Sequence, residues 1–176
     1  MHSKEKELLR LISDIYIEDF NDESAIPYLV ELAEIDNDNI DVMIDLSNAY
    51  LNISEYEDAY YWADIGVSLN KKIGDALFQR AQVLIATVEE FESLDIDFCD
   101  RVVYDLALLD FMESYESGNM KAKIYEENLD EYITKSEHWF LSDWKKPQLS
   151  PSNTYCKQKK DADCYKWITR SVKRKG

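Results

Sequence analysis

The sequence predicts an all-α fold of stacked antiparallel helix pairs, and three observations carry the prediction. Residues 41–70, DVMIDLSNAYLNISEYEDAYYWADIGVSLN, read as two amphipathic helices joined by a tight turn. Their pattern recurs in the flanking sequence on both sides, as expected where one hairpin cannot bury its apolar faces alone and must stack on copies of itself. Only four glycines and three prolines occur in 176 residues, which suits long helices with short turns. That length gives one domain a real core and is short for two.

The central stretch resembles a tetratricopeptide repeat (TPR). On the 34-residue frame of that family, large inward residues fall on Met43, Leu46 and Tyr50 and small ones on Ser47 and Ala59. Shifted one frame upstream, the same slots hold Leu9, Ile12, Tyr16, Ser13 and Ala25, followed by Leu29 and Leu32. Shifted downstream they hold Leu77, Arg80, Ala81 and Leu84, after which Ser93 replaces the expected alanine and the frame breaks. Departures inside the central repeat are Ala63 for an aromatic, Gly66 for an alanine and Lys71 for a proline. The resemblance covers residues 6–86 and implies a right-handed superhelical stack that binds other proteins.

The elements follow in order. Ser3 caps a helix to about Asp19, with Leu8, Leu9, Ile12, Ile15 and Tyr16 at helical spacing and a face wide enough to be sandwiched. The second helix runs from near Ser24 to Ile35, because Pro27 is tolerated in a first turn and not in an interior. DNDNID beyond it lacks the glycine and glutamate of a calcium loop and reads as a solvated turn. The central helices span 41–53 and 56–69, and a fifth runs from Asp75 to at least Val88. EEFESLDID at 89–97 either continues that helix or opens a long loop. A sixth covers 100–117, with Val103, Leu106, Ala107, Phe111 and Met112 inward and Gly118 as its stop. Residues 120–134 predict a seventh through Ile124, Leu129, Tyr132 and Ile133, and Ser136 caps a short eighth containing Trp139, Phe140 and Trp144. Pro147 and Pro151 end regular structure. The last segment is preferred as a helix capped by Asp161, grouping Cys164, Trp167, Ile168 and Val172. The alternative is a β-hairpin pairing with 154–158. Residues 1–152 are thus expected to form the repeat domain, and 153–176 a basic capping segment packed on it.

Charge separates the same two regions. The formal net charge is −16, made of −24 over residues 1–144 and +8 over 145–176. An acidic body repels nucleic acid and anionic membrane, and the simplest place for the basic tail is against that body. If it docked on a neighbour's body instead, the chain would self-assemble into a homo-oligomer. No apolar run reaches membrane-spanning length, and MHSKEKELLR lacks the apolar core of a signal peptide. Cys99, Cys156 and Cys164 are odd in number and have no framework spacing, so reduced, buried cysteines in a reducing cytoplasm are expected.

Little in the chain points to chemistry. The histidines are His2 and His138, and there is no HExxH, CxxC or glycine-rich phosphate loop. The rival to a binding module is an enzymatic or metal-binding domain centred on His138 and the cysteines, which requires the fold to gather them. The expectation is no enzyme and no cofactor. The aromatic crowd of Tyr50, Tyr56, Tyr60, Tyr61 and Trp62 reads as packing.

What the resemblance implies is a groove. In TPR proteins the leading helix of each repeat lines a concave surface, and the frame places there Glu7, Arg10, Leu11, Asp14, Ile17 and Glu18. The second repeat contributes Asp41, Ile44, Asp45, Asn48, Leu51 and Asn52, and the third Asp75, Phe78, Gln79, Gln82, Ile85 and Ala86. Six are acidic and one is basic. Family members that clamp the C-terminal carboxylate of heat-shock chaperones use Lys and Asn in one repeat, Asn in the next, then Lys and Arg. Here those positions hold Arg10, Asp14, Asp45, Asp75 and Gln79, and three carboxylates oppose a bound carboxylate. The expected partner is a basic or apolar protein segment.

Overall fold

In the computed structural model, which describes residues 3–69, 74–91, 95–142, 144–153, 156 and 165–175, the chain divides into two compact units, Met1–Val83 and Leu84–Gly176. The first holds α1 (Ser3–Glu18), α2 (Asp22–Ile35), α3 (Ile40–Asn52), α4 (Tyr56–Leu69) and the start of α5 (Gly74–Phe91). Helices α1 to α4 pack in sequence order as two hairpins. Their turns are alike in detail. The Phe20 N–H donates to Ile17 O and the Asn21 N–H to Tyr16 O, and 34 residues on the Ser54 N–H donates to Leu51 O and the Glu55 N–H to Tyr50 O. Phe20 (φ 55°) and Ser54 (φ 63°) both take the left-handed conformation that such a helix stop requires. The third frame puts Val88 there, buried inside α5, so no turn forms and the helix runs on to Phe91.

Most inward slots hold, with Ile12, Tyr16 and Tyr50 only half-buried. Leu9, Ala25, Leu29, Leu32, Val42, Met43 and Leu46 form one core, and Val67, Ala76 and Leu77 a second packed by Ile40 and Ile44. Arg80 occupies an inward slot and is only 6% exposed, its guanidinium donating to Asp64 at 2.5 Å. Asn21 caps α2, starting it before Ser24 and leaving Pro27 beyond the first turn. Contrary to the sandwiched face expected of α1, Leu8, Leu11 and Ile15 are exposed.

The second unit holds the rest of α5, then α6 (Phe98–Glu116), α7 (Ala122–Asn128), α8 (Ser136–Leu141) and an antiparallel pair of β1 (Gln148–Leu149) with β2 (Val172–Lys173). Asp97 starts α6 with a capping box, accepting the Cys99 and Asp100 N–H groups at 2.7 and 2.9 Å. Val103, Leu106, Ala107 and Phe111 are buried as expected, whereas Met112 is exposed. Helix α7 ends at Asn128 and α8 at Leu141, so Trp144 lies beyond the helix assigned to it and Ile124 and Tyr132 are exposed.

Cys156 is helical, but residues 165–175, most of which the expected helix would span, are not. Residues 165–167 form a turn and Val172–Lys173 pair with Gln148–Leu149, whereas all of the alternative partner 154–158 except Cys156 lies outside the described residues. The expected cap Asp161 and Cys164 lie outside the described residues. What decides the conformation is α6, which presents three buried aspartates. The Tyr165 hydroxyl donates to Asp100 at 2.5 Å, Lys175 Nζ to Asp105 at 2.7 Å, and the Arg170 guanidinium to both oxygens of Asp110 at 2.6 and 2.7 Å. Ile168 and Val172 are buried with them. Cys99 and Cys156 are joined by a disulfide with a Cα separation of 5.7 Å, against the reduced state expected. The spacing argument excluded a multi-bridge framework, and a single bridge needs only two cysteines brought together by the fold.

Candidate interaction groove

Five of the residues placed in the groove by the repeat frame line one hollow of the first unit. Glu7, Arg10, Leu11 and Asp14 come from α1 and Asp41 from α3, and Lys6, Leu32, Asp36, Asn39 and Val42 complete a space of about 500 Å³. They meet because the leading helices turn the same face outward while Leu9, Met43 and Leu46 point into the core. Arg10 is the one basic residue of the predicted set, and its charge is already spent. It donates to Asp45 at 2.5 Å and pairs with Asp14 at 3.3 Å. Burial pushes the Asp45 carboxyl above its ordinary value against the pull of Arg10, and Asp14 and Asp41 add to the rise.

Lys6, Asp36 and Asn39 were missed by the frame. Lys6 Nζ donates to Asp36 at 2.5 Å and Asn39 to its other oxygen at 2.9 Å, and these two hydrogen bonds hold the Asp36 carboxyl below its ordinary value. The available signal was the polar link 36–39, which ends just before Ile40 and Asp41, the positions one repeat after Lys6 and Glu7.

Other predicted positions are differently placed. Ile17, Ile44 and Leu51 are half-buried, Glu18, Asn48 and Asp75 exposed, and Phe78 half-buried. Asn52 reaches back to Asp22 at 3.1 Å. Gln79 is only 6% exposed and donates to Ser47 at 3.2 Å, so it serves the α3–α5 packing. Gln82 Nε2 is shielded from solvent and has no hydrogen-bond partner among the described residues. Ile85, half-buried, belongs to the second unit, as does Ala86.

The rival centre is partly assembled. His138 lines a cavity of about 360 Å³ with Ile96, Asp97, Phe98, Cys99, Arg101, Leu141 and Ser142. Its Nδ1 accepts the Lys135 N–H at 2.9 Å, so the neutral ring carries its proton on Nε2. Burial first, and then the Arg101 charge, hold His138 below its ordinary pKa. The bridge removes Cys99 and Cys156 as thiolate ligands, and no group of three or more His, Cys, Asp or Glu fit for a metal occurs among the described residues. Among the same residues no helix is long and apolar enough to cross a membrane.

No family model matches the sequence, and no curated protein matches it. Solved structures do match. The first TPR domain of human RPAP3 superposes with a TM-score of 0.59 at 16% identity, over 72% of this chain and 91% of that one. The first TPR of Spaghetti (RPAP3), bound to the HSP90 peptide SRMEEVD, gives 0.60 at 16% identity, over 73% and 93%. At that identity the likeness is one of backbone, and with the matched hairpins and turns described above it makes the fold TPR-like, an all-α helical repeat.

Proposed function

We propose that this chain is a non-enzymatic interaction scaffold that binds a basic and apolar segment of a partner protein in the groove of α1, α3 and the start of α5. The observation that carries the reading is the neutralised Arg10, which leaves the exposed charged side chains of the predicted groove acidic, at Glu7, Glu18, Asp41 and Asp75, beside the apolar Leu11. An arriving lysine or arginine gains from that field, and an acidic peptide loses. The similar Spaghetti (RPAP3) domain holds an HSP90 peptide, so a fold of this kind accepts an extended segment. The clamp positions differ in kind, since Asp14, Asp45 and Asp75 would face the carboxylates of a sequence ending EEVD. The same reading keeps the chain in the cytoplasm, where the Cys99–Cys156 bridge meets a reducing thiol pool.

Amide-resolved NMR titration with a panel of lysine- and leucine-containing peptides tests the site. Shifts concentrated on Glu7, Leu11, Asp14, Asp41 and Asn48 support the groove. Shifts confined to α2 and α4, or none with any basic peptide, would overturn it.

A further inference from the structure

The Cys99–Cys156 bridge plays no part in the groove, yet it connects two features of the second unit. Cys99 is the second residue of α6 and lines the 360 Å³ cavity. Cys156 belongs to the tail, between β1 and the residues that reach Asp100, Asp105 and Asp110. The cavity is lined by apolar Ile96, Phe98 and Leu141 together with Arg101, whose Nη1 also donates to Glu131 O and Tyr132 O, and His138, whose neutral ring carries its proton on Nε2. Asp97, the cavity's one carboxylate, is committed to the first turn of α6. A space of this size with a cation and a neutral donor suits a small molecule carrying a carboxylate. Cys99, 1% exposed, lines this space, and a disulfide reacts with one functional group above all, a thiol.

We propose that Cys99–Cys156 is a thiol-exchange site fed from this cavity by a small carboxylate-bearing thiol, and that opening it loosens the basic tail from α6. The entering thiolate attacks the Cys99 sulfur, forming a mixed disulfide, and Cys156 leaves as a thiolate that takes a proton from water. A second thiolate attacks the sulfur of the small molecule, giving its symmetric disulfide and releasing Cys99. The first turn of α6 favours that Cys99 thiolate, as helix N-termini do. Two electrons pass from two small thiols to one protein disulfide, and no other oxidant or reductant is needed. Once the bridge is open, the described part of the tail keeps its side-chain contacts, the two-residue β pair and the backbone bonds of Ile168 O and Arg174 N, but the cross-link no longer restrains the 57-residue separation.

The test uses the full chain carrying Cys164→Ser, so that one cysteine pair remains. Reduced glutathione is the probe, and β-mercaptoethanol, which has no carboxylate, is its comparator. Mass spectrometry after alkylation should count no free thiols in the air-oxidised protein and two after glutathione. Tryptic cleavage at Lys166 and Arg170 should then accelerate on the order of tenfold or more, with helical circular dichroism unchanged. Arg101→Ala should slow the reaction with glutathione and leave that with β-mercaptoethanol as it was. Two free thiols before any reductant, equal cleavage in both redox states, loss of helix on reduction, or equal slowing of both thiols by Arg101→Ala would each overturn the proposal.

Discussion

A methyl group added at Gly66 would meet Ala76 Cβ at 3.4 Å and Met43 Cβ at 3.5 Å, ordinary contact distances in the middle of α4. Glycine inside a helix costs roughly 0.5–1 kcal/mol relative to alanine, so Gly66→Ala should raise the stability of the chain by about that amount in urea unfolding. His138 gives the opposite kind of prediction. Its folded pKa lies below the ordinary 6.5, so its contribution to stability is complete above 6.5 and is lost as pH falls toward the lowered value. His138→Gln should flatten the pH dependence of the thermal midpoint in that window, and an unchanged slope would place the loss elsewhere. At this scale the core was legible in the sequence, because Leu9, Ala25, Met43, Leu46, Ala59 and Leu77 are all buried where the frame puts them. Side-chain pairing was not. Nothing in the spacing shows that Gln79 spends its amide on Ser47, or that Arg80 can occupy an inward slot because Asp64 stands beside it.

Among elements, the hairpins α1–α2 and α3–α4 were readable because each stops with the same backbone turn, at Phe20 and at Ser54, and the frame fails where Val88 stays inside a helix. Phe20 is 93% exposed and non-glycine at positive φ, a position whose residue type gave no turn signal. The tail was the harder case. Trp167, Ile168 and Val172 satisfy a helical period, but short apolar segments obey several periods and tertiary partners choose between them. Here the partners are the three aspartates of α6, and the charge partition across Trp144 announced an attraction without naming them. Even Lys175, at the end of the tail, is tied to Asp105 and to Thr134 O, whereas Phe140 of α8 is exposed. Asp110 is fully buried against Arg170, so Arg170→Ala removes both charge-assisted hydrogen bonds from an interior carboxylate and should cost roughly 3–5 kcal/mol. The double variant Asp110→Leu, Arg170→Leu should recover most of that loss. If the single variant unfolds at the wild-type urea midpoint, the pair does not hold the tail.

For the whole chain, the acidic excess of the first 144 residues and the repeat frame point to the same function by different physics. The frame supplies a surface on the leading helices, and the charge chooses what that surface attracts. Both were legible from composition and register, whereas the contribution of Lys6, Asp36 and Asn39 to the hollow was not, because it depends on how α2 delivers the link 36–39 beside α1. The central claim is that the groove prefers basic to acidic segments, and a paired affinity measurement tests it most directly. Fluorescence anisotropy would compare a lysine- and leucine-containing peptide with SRMEEVD, on the wild-type chain and on the double charge reversal Glu7→Lys, Asp41→Lys. The account predicts that the wild-type chain binds the basic peptide at least about tenfold more tightly, a difference of about 1.4 kcal/mol, and that the reversal inverts the order. Equal binding of both peptides by the wild-type chain, or a ratio untouched by the reversal, would contradict it.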